Sequence, residues 1–320
     1  MKYIDLFAGI GGFHYGIDVA VAERNKQGIP QEDKNSTIND DRSMAVQQFT
    51  CVYSNEWDKY ANSVYRRHYG ECDNRDIRTV EAKEIPEFDL LTGGFPCQAF
   101  SIAGKRRGFD DTRGTLFFEI ARILKEKQPR LCLLENVKGL LSHDNGRTFK
   151  IILATLVELG YDVEWQVLNS KNHGVPQNRE RVFIVGDLRG EPRPEVFPIT
   201  GTDGENGKVE VRPETKQQVS PTIGTPSGGH HIPSVRYPLK FMKRNQKNVD
   251  GGHSFTVDSV NTGGVKQGTR IRRLTPTECE RLQGFPDGWT EGVSDTQRYK
   301  CLGNAVTVNV VYEVAKRLYV

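Results

Sequence analysis

The chain has 320 residues, of which 36% are hydrophobic and 27% charged, and its 44 Lys and Arg against 41 Asp and Glu leave a net charge of +3. This length corresponds to about two domains. No run reaches the roughly 18 apolar residues of a membrane span, and the start shows no signal-peptide pattern. The six cysteines contain no CxxC pair. We therefore expect a soluble cytoplasmic protein with reduced thiols, no membrane partner and no metal site.

Strand-like apolar runs alternate with helical patterns in the first part of the chain. The predicted strands are residues 3–7, 50–54, 88–91, 130–137, 163–168 and 182–186, and Leu116–Lys127 carries a helical apolar face. This alternation predicts an α/β fold with a mostly parallel, doubly wound sheet. The polar segment 24–41 is interpreted as a surface loop or a helix extension without chemistry of its own.

The composition changes after residue 186. Residues 187–270 hold 12 of the 32 glycines, and residues 236–273 hold nine Lys and Arg against two acidic residues. These features predict a loop-rich second domain with a basic final part. Beyond it, Thr275, Pro276 and Glu278 form a capping-box pattern for a short helix. Residues 304–318 carry an apolar helical face that should pack back onto a core.

Candidate ligand-binding residues follow the first predicted strands. The glycines after Phe7 would let the backbone approach a nucleotide-like ligand, although His14 replaces the last glycine of a dinucleotide fingerprint and a purely structural turn is equally consistent. Glu56 ends the second strand and precedes Trp57, and Asp76 precedes Ile77 at a third predicted strand end. Each residue alone is consistent with a surface or core position. Together they predict an adenosine site without phosphates.

The sharpest segment places Cys97 just after a predicted strand. A lone cysteine is commonly a small buried hydrophobe, but this position favours a nucleophile. The basic loop at 105–114 is either a solvated charged run or a segment that closes over an anionic substrate. Glu135 ends an apolar strand and is a candidate general acid. Arg179 and Arg181 should point the same way along a strand and reach one ligand, unless they form surface ion pairs.

These motifs, in this order, resemble the DNA (cytosine-5)-methyltransferase family, in particular its small bacterial type II modification enzymes. The motifs are residues 7–13, 94–101, 135–137, 177–181, 272–279 with 283–286, and 303–306. The resemblance spans nearly the whole chain outside segment 24–41 and the basic glycine-rich region. It implies a Rossmann-like S-adenosylmethionine-dependent domain formed by residues 1–187 plus 303–320, and a target-recognition domain with its hinge at 188–302.

The resemblance also implies roles for single residues. Cys97 would attack carbon 6 of a flipped-out cytosine, with Glu135 on ring N3 and the amino group, and with Arg181 and Arg179 near the base oxygen and backbone. The residues implied for S-adenosylmethionine, and for its product S-adenosylhomocysteine, are Phe7, Gly9, Ile10, Gly11, Glu56, Trp57, Asp76, Ile77, Pro96, Leu116 and Asn304. Those implied to contact double-stranded DNA are Gln98, Ser101, Lys105, Arg106, Arg113, Arg244, Thr256 and Arg272.

Several points stay open in the sequence. Either Thr222 or Thr256 anchors the recognition domain, and the spacing to residues 261–264 favours Thr256. Ala103 stands where related chains carry serine. A tRNA substrate or a catalytically silent DNA-binding protein are alternatives, and a nicotinamide oxidoreductase ranks last. We expect a bacterial or phage-encoded monomer that associates with the nucleoid, with a cognate restriction endonuclease encoded separately.

Overall fold

The computed structural model describes residues 1–27, 49–96, 116–191, 196–199, 206–209, 237–238, 254–255, 263–267 and 270–318. The strands are β1 Lys2–Leu6, β2 Thr50–Asn55, β3 Leu90–Gly94, β4 Leu131–Val137, β5 Tyr161–Asn169, β6 Gln177–Asn178, β7 Glu180–Leu188, β8 Asn206–Val209, β9 Tyr237–Pro238, β10 Ser254–Phe255, β11 Gly263–Gln267 and β12 Arg270–Arg273. The helices are α1 Gly12–Gln27, α2 Lys59–Tyr69, α3 Leu116–Lys127, α4 Arg147–Glu158, α5 Pro276–Leu282, α6 Asp295–Asn304 and α7 Val308–Ala315. The predicted α/β class is confirmed.

The central sheet has the order β2-β1-β3-β4-β7-β5-β8. β1 pairs in parallel with β2 and β3, and β3 pairs in parallel with β4. The other half is less parallel than predicted, because β7 runs antiparallel to both β4 and β5, and β5 runs antiparallel to β8. Residues 170–179 join β5 to β7 without a crossover helix, and such a connection favours antiparallel neighbours.

Helices cover both faces of the sheet. On one face Ile4, Leu91 and Leu134 pack with buried residues of α3 and α4, and on the other Tyr3, Leu90 and Leu133 pack with α1 and α7. Alternate residues of each strand point to opposite faces, so strands buried on both sides read as continuous apolar runs. The parallel pairing of β1 to β4 brings their carboxyl ends to one edge of the sheet.

Element ends follow local signals with one exception. α3 has the predicted bounds, and the Thr275–Glu278 capping box at the start of α5 is present. α1 continues to Gln27, while the rest of the 24–41 segment lies outside the described residues. The predicted helix at 304–318 begins only at Val308, because Ala305 and Thr307 are extended at the junction of α6 and α7. That break leaves backbone carbonyls at 303 and 305 open to side-chain donors.

The C-terminal part packs onto the first elements of the chain. Leu274, Leu282 and Trp289 share a buried cluster with Ile10 and Val64, and the Trp289 indole N–H donates to the Ile10 carbonyl (2.8 Å). Contacts with the first part of the chain therefore start well before Gly303.

Small strands lie in the predicted second domain. β9, β11 and β12 form an antiparallel sheet. β10, which ends one residue before Thr256, pairs with β6, which ends one residue before Arg179. Thr222 and Thr256 themselves lie outside the described residues. Among the described helices, none is long and apolar enough to cross a bilayer.

Asp5 is a fully buried acid on β1. Thr92 Oγ1 lies 3.0 Å from Asp5 Oδ1 and 3.1 Å from the Ile4 carbonyl oxygen. A hydroxyl has one hydrogen, so when Thr92 donates to Ile4, a protonated Asp5 can donate to Thr92. Burial raises the pKa of Asp5 to about 8, against the Thr92 hydrogen bond and with a smaller contribution from Glu56. Asp5 is therefore mostly neutral in the folded protein near pH 7.

Replacing this acid by its neutral isostere should stabilise the fold at higher pH. Unfolded Asp releases its proton near pH 4, so the stability from protonated Asp5 is complete below that pH and is lost as pH rises towards about 8. We expect the free energy of unfolding of Asp5→Asn, relative to wild type, to rise between pH 5 and pH 8 by up to about 4 kcal/mol. Urea unfolding checks this, with the exposed Glu158→Gln as control. A difference that does not change with pH contradicts it.

Candidate active site

A cavity of about 660 Å³ lies where the carboxyl ends of β1 to β4 meet the C-terminal segment. It brings together predicted residues from distant parts of the chain. From the predicted cofactor set it is lined by Phe7, Gly9, Glu56, Trp57, Asp76, Ile77, Pro96, Leu116 and Asn304. From the predicted catalytic set it is lined by Glu135, Arg179 and Arg181.

Two further predicted cofactor residues, Ile10 and Gly11, are not among the residues that line this cavity. The Ile10 side chain is 1% exposed and belongs to the cluster with Trp289. Gly11 has φ +88°, and an added Cβ would lie 2.7 Å from the Tyr69 ring. The Ile10 side chain and the Gly11 Cα thus face the protein interior, and the cofactor role of these two residues stays a prediction.

The turn after β1 is held in an unusual conformation at the cavity. Phe7 has φ +56° and Gly9 φ +57°. A bulky residue in the left-handed region is rare and persists only where its surroundings fix it. Here the Ala8 N–H donates to the Asn55 carbonyl (3.0 Å), and the Gly9 N–H donates to Glu56 Oε2 (2.8 Å). The turn and the end of β2 thus fix each other.

Glu56 faces the cavity with its carboxylate anchored by backbone donors. Besides Gly9, the Asp58 N–H donates to Glu56 Oε1 (2.6 Å). Burial raises the pKa of Glu56, and these two hydrogen bonds offset part of that rise. Each carboxylate oxygen keeps a further lone pair, so the group can still accept hydrogen bonds from ligand hydroxyls. The adjacent Trp57 is 65% exposed and offers a ring face at the cavity mouth.

Asp76 reaches the cavity from a different local structure than predicted. It does not end a strand. It is the N-cap of the 3-10 helix Ile77–Thr79, and its side chain accepts from the Arg78 N–H. The Arg78 guanidinium also pairs with its carboxylate, and this hydrogen bond lowers the pKa of Asp76. Asp76 is therefore a charged acceptor at neutral pH.

On the other side of the cavity, Glu135 at the end of β4 pairs with Arg181 on β7. Arg181 Nε lies 3.1 Å from Glu135 Oε1, and the two side chains are 15% and 11% exposed. Burial raises the pKa of Glu135, and the charges of Arg181 and Arg179 oppose that rise. Buried ion pairs add little stability in general. This one places a hydrogen-bonding carboxyl beside a cation inside a cavity, which suits recognition of a polar ring.

Arg179 is 1% exposed, so the surface ion-pair alternative is excluded for it. Its Nη2 donates to the carbonyls of Gly303 (3.1 Å) and Ala305 (2.7 Å), which flank Asn304. Burial lowers its pKa to about 9, with Arg181 lowering it further and Glu135 opposing. A guanidinium bonded to two backbone carbonyls positions the C-terminal segment. This geometry departs from the predicted contact with the base oxygen.

Cys97 and the loop after it lie outside the described residues, as do the predicted DNA contacts Gln98, Ser101, Lys105, Arg106, Arg113, Arg244 and Thr256. The approach to Cys97 is described up to Pro96. Asn136 Nδ2 donates to the Phe95 carbonyl (2.8 Å), so the end of β4 fixes the chain two residues before Cys97. Arg272 forms a two-pronged ion pair with Glu278 at 2.7 and 2.8 Å.

Comparison with known proteins identifies the family. The sequence profile of the C-5 cytosine-specific DNA methylase family matches residues 1–319. The chain belongs to this family. The type II methyltransferase M.HhaI of Haemophilus parahaemolyticus is 36% identical over 98% of this chain and 93% of its own length. M1.ScrFI of Lactococcus lactis subsp. cremoris is 40% identical over 99% of this chain and 77% of its own length.

Solved structures agree on the fold. The DNMT2 of Spodoptera frugiperda, crystallised as a triple mutant, aligns with a TM-score of 0.63 at 20% identity over 99% of both chains. With the family established, the protein is a DNA cytosine carbon-5 methyltransferase. DNA is its substrate, and it needs a methyl donor.

Two charged cavity residues of this methylase were missed in the sequence. Asp58 and Lys300 both line the cavity, and Lys300 Nζ lies 2.6 Å from Asp58 Oδ2. Asp58 follows Glu56 and Trp57 and is the N-cap of α2, a signal that was readable locally. Lys300 carries no local signal, because only folding brings α6 to β2.

The geometry of Arg179 yields a stability prediction. Lysine keeps the charge at this position but lacks the planar fork that reaches two carbonyls. We expect Arg179→Lys to lower the free energy of unfolding by about 1–3 kcal/mol, because one buried carbonyl loses its donor. The matched variant Arg181→Lys should cost less, since its partner Glu135 accepts an ammonium equally well. Urea unfolding of both variants checks this, and equal losses contradict the assignment.

Proposed function

We propose that this methyltransferase transfers the methyl group of S-adenosylmethionine to carbon 5 of a cytosine flipped out of a specific duplex DNA sequence, through a covalent adduct with Cys97. One observation carries the proposal. The buried Glu135–Arg181 pair and the Glu56 site open into the same cavity, and Phe95 and Pro96 lead from that cavity to Cys97. Carbon 6 of a stacked cytosine is shielded, so the base must leave the duplex to enter.

The residues on the β1–β2 side fit S-adenosylmethionine. Glu56 would accept from the ribose hydroxyls, Trp57 and Ile77 would contact the adenine ring, and Asp76 would accept from its amino group. Leu116 and Asn304 complete this part of the cavity. The described residues here include three acids, Glu56, Asp58 and Asp76, and one cation, Lys300, which is paired with Asp58; this acidic balance fits a ligand without phosphates. When bound, the cofactor supplies a methyl carbon on positively charged sulfur.

The residues on the β4–β7 side would activate the base. The Cys97 thiolate adds to carbon 6, forming a carbon–sulfur bond and moving the 5,6 double-bond electrons to carbon 5. Glu135 would hold ring N3 and the amino group, and Arg181 the base oxygen, as charge develops on the ring. Carbon 5 would bond to the donated methyl group, which leaves S-adenosylhomocysteine, and would then pass its proton to a base. The electrons of that carbon–hydrogen bond restore the 5,6 double bond as the bond between carbon 6 and the Cys97 sulfur breaks. We assign Arg179 to positioning instead of base contact.

We retain a target-recognition domain around 188–302, beside a catalytic domain at 1–187 plus 303–320. Packing of Leu274 and Trp289 onto Ile10 supports moving the second boundary towards residue 274. The β10–β6 pairing supports Thr256 over Thr222 as its anchor. Arg272 would contact a DNA phosphate after leaving its present ion-pair partner, Glu278.

Because the relatives are named type II methyltransferases, we also propose that the protein is a monomer at the nucleoid and that a restriction endonuclease is encoded separately.

Labelled transfer tests the function directly. With tritiated S-adenosylmethionine and mixed-sequence duplex DNA, we expect label on carbon 5 of cytosine in wild type and none with Cys97→Ala. Glu135→Gln should lower kcat by roughly 10²–10³-fold, because it weakens stabilisation of the developing charge. Bisulfite sequencing of the product would give the target site. Full activity of Cys97→Ala, or preferred labelling of tRNA in a competition with DNA, contradicts the proposal.

Trapping tests the covalent step separately. DNA with 5-fluorocytosine cannot lose a proton from carbon 5, so the Cys97 adduct should persist through denaturing electrophoresis. Cys97→Ala should give no such band, and absence of the band in active wild type contradicts the adduct.

The cofactor assignment predicts a binding loss without any turnover. Glu56→Gln replaces one acceptor oxygen by an NH2 group, which cannot accept a hydrogen bond from the backbone N–H that it faces. We expect the Kd for S-adenosylhomocysteine to rise by roughly 10-fold or more, as for hydrogen bonds to charged groups. Calorimetry measures this, with Glu71→Gln, whose side chain is 94% exposed, as control. An unchanged Kd for Glu56→Gln contradicts the assignment.

A further inference from the structure

Two parts of the chain separated by 242 positions meet at the mouth of the cavity. Asp58 begins α2 next to Glu56, and Lys300 lies on α6 four residues before Asn304. Both residues line the cavity. Their side chains are 31% and 46% exposed, so they lie at its rim, where the cavity meets solvent.

Asp58 is a rigid anchor for this contact. Its Oδ1 accepts from the Tyr60 N–H (2.9 Å) and the Ala61 N–H (3.1 Å), which caps α2. Its own N–H donates to Glu56, and its Oδ2 accepts from Lys300 (2.6 Å). Asp58 therefore links Lys300 to the carboxylate of Glu56, which faces the cavity.

The electrostatics keep both partners charged. Partial burial works to raise the pKa of Asp58, but the hydrogen bonds from Lys300 and the two backbone donors outweigh it and lower that pKa overall. The hydrogen bond to Asp58 raises the pKa of Lys300. The contact is thus an ion pair throughout the neutral pH range.

Two other attachments of the residues around Asn304 involve buried side chains. Arg179 binds the carbonyls of Gly303 and Ala305, and Gln283 Nε2 donates to the Leu302 carbonyl (2.7 Å) with Gln283 fully buried. Buried polar contacts are costly to break, whereas a solvent-exposed ion pair opens at small cost. Of these three attachments, the rim contact is the one that can open without disturbing the core.

We propose that the Asp58–Lys300 ion pair is a latch on the cofactor side of the cavity: it joins α6 to the β2–α2 turn, positions Asn304 opposite Glu56, and slows cofactor release. The inference rests on the proposed function, because it takes the ligand on this side to be S-adenosylmethionine or its product. Asp58 and Lys300 are positioning residues and take no part in the chemistry. An exposed pair has a modest effect, so the latch tunes residence time and does not determine whether the ligand binds.

The test compares three variants with wild type. Lys300→Met keeps most of the apolar stem and removes the ammonium. Asp58→Asn keeps an oxygen to cap α2 and removes the charge. The third variant combines both changes. The dissociation rate of S-adenosylhomocysteine is followed by stopped-flow fluorescence, since Trp57 at the mouth is the exposed one of the three tryptophans, and Kd is measured by calorimetry at 50 and 500 mM NaCl.

We expect each single variant to raise the dissociation rate and Kd by roughly two- to fivefold at low salt. The double variant should be no worse than the stronger single variant, because both remove the same contact. At 500 mM NaCl the Kd of the wild type should rise towards that of the variants, because salt screens an exposed ion pair. Lys300→Arg, which retains the pair, should behave as wild type and shows that the position tolerates substitution.

A second ion pair provides the matched control. Lys127 Nζ lies 2.6 Å from Glu87 Oε1, beside Met1 and Pro129, away from the cavity. Glu87→Gln should leave Kd and the dissociation rate unchanged. Variants that match wild type, or single effects that add in the double variant, overturn the latch alone. A wild-type protein that does not bind S-adenosylhomocysteine overturns the proposed cofactor and the latch together.

Discussion

The contact between the buried guanidinium of Arg179 and the carbonyls of Gly303 and Ala305 holds the two halves of the active site together. A charged group removed from water is strongly unfavourable unless it is paired and hydrogen-bonded. Here the break between α6 and α7 supplies acceptors, since carbonyls at a helix end lack helical partners. The same residue lies between the C-terminal segment and the Glu135–Arg181 pair. Without it, the residues that flank Asn304 would lose these two hydrogen bonds to the base side of the cavity.

The neighbouring network makes that attachment cooperative. Ser170 donates to Thr307 (2.9 Å), and Thr307 donates to Gln283 (2.9 Å), all three being buried. Gln177, just before Arg179, donates to the Leu282 carbonyl (2.6 Å). Hydrogen bonds in such buried chains reinforce one another. These hydrogen bonds join the segment before β7 to the residues between α5 and α7, so both belong to one wall of the cavity.

Charge is divided across the cavity in a way that fits two different ligands. Glu56, Asp58 and Asp76 lie on the β1–β2 side, and Arg179 and Arg181 lie on the β7 side with Glu135. The acidic side suits hydroxyl and amino donors and a cationic centre. The side with Glu135 and the arginines suits a ring that accepts and donates hydrogen bonds and gains electron density during reaction. Because burial reduces screening by water, these preferences act strongly over a short distance.

The sequence by itself determined the fold class, most strand positions, α3 and its bounds, the α5 cap, and the participation of Glu56, Trp57, Asp76, Glu135 and Arg181 in a site. Those inferences depend on local patterns: the period of apolar residues, capping residues, and polar residues at strand ends. The tertiary structure decided the antiparallel place of β7, the inward positions of Ile10 and Gly11, the 3-10 setting of Asp76, the backbone contacts of Arg179 and the Asp58–Lys300 pair. Apart from the 3-10 setting of Asp76, which forms through its own contact with Arg78, each of these depends on which distant segments become neighbours. That choice follows from packing across the whole sheet, and a local pattern does not encode it.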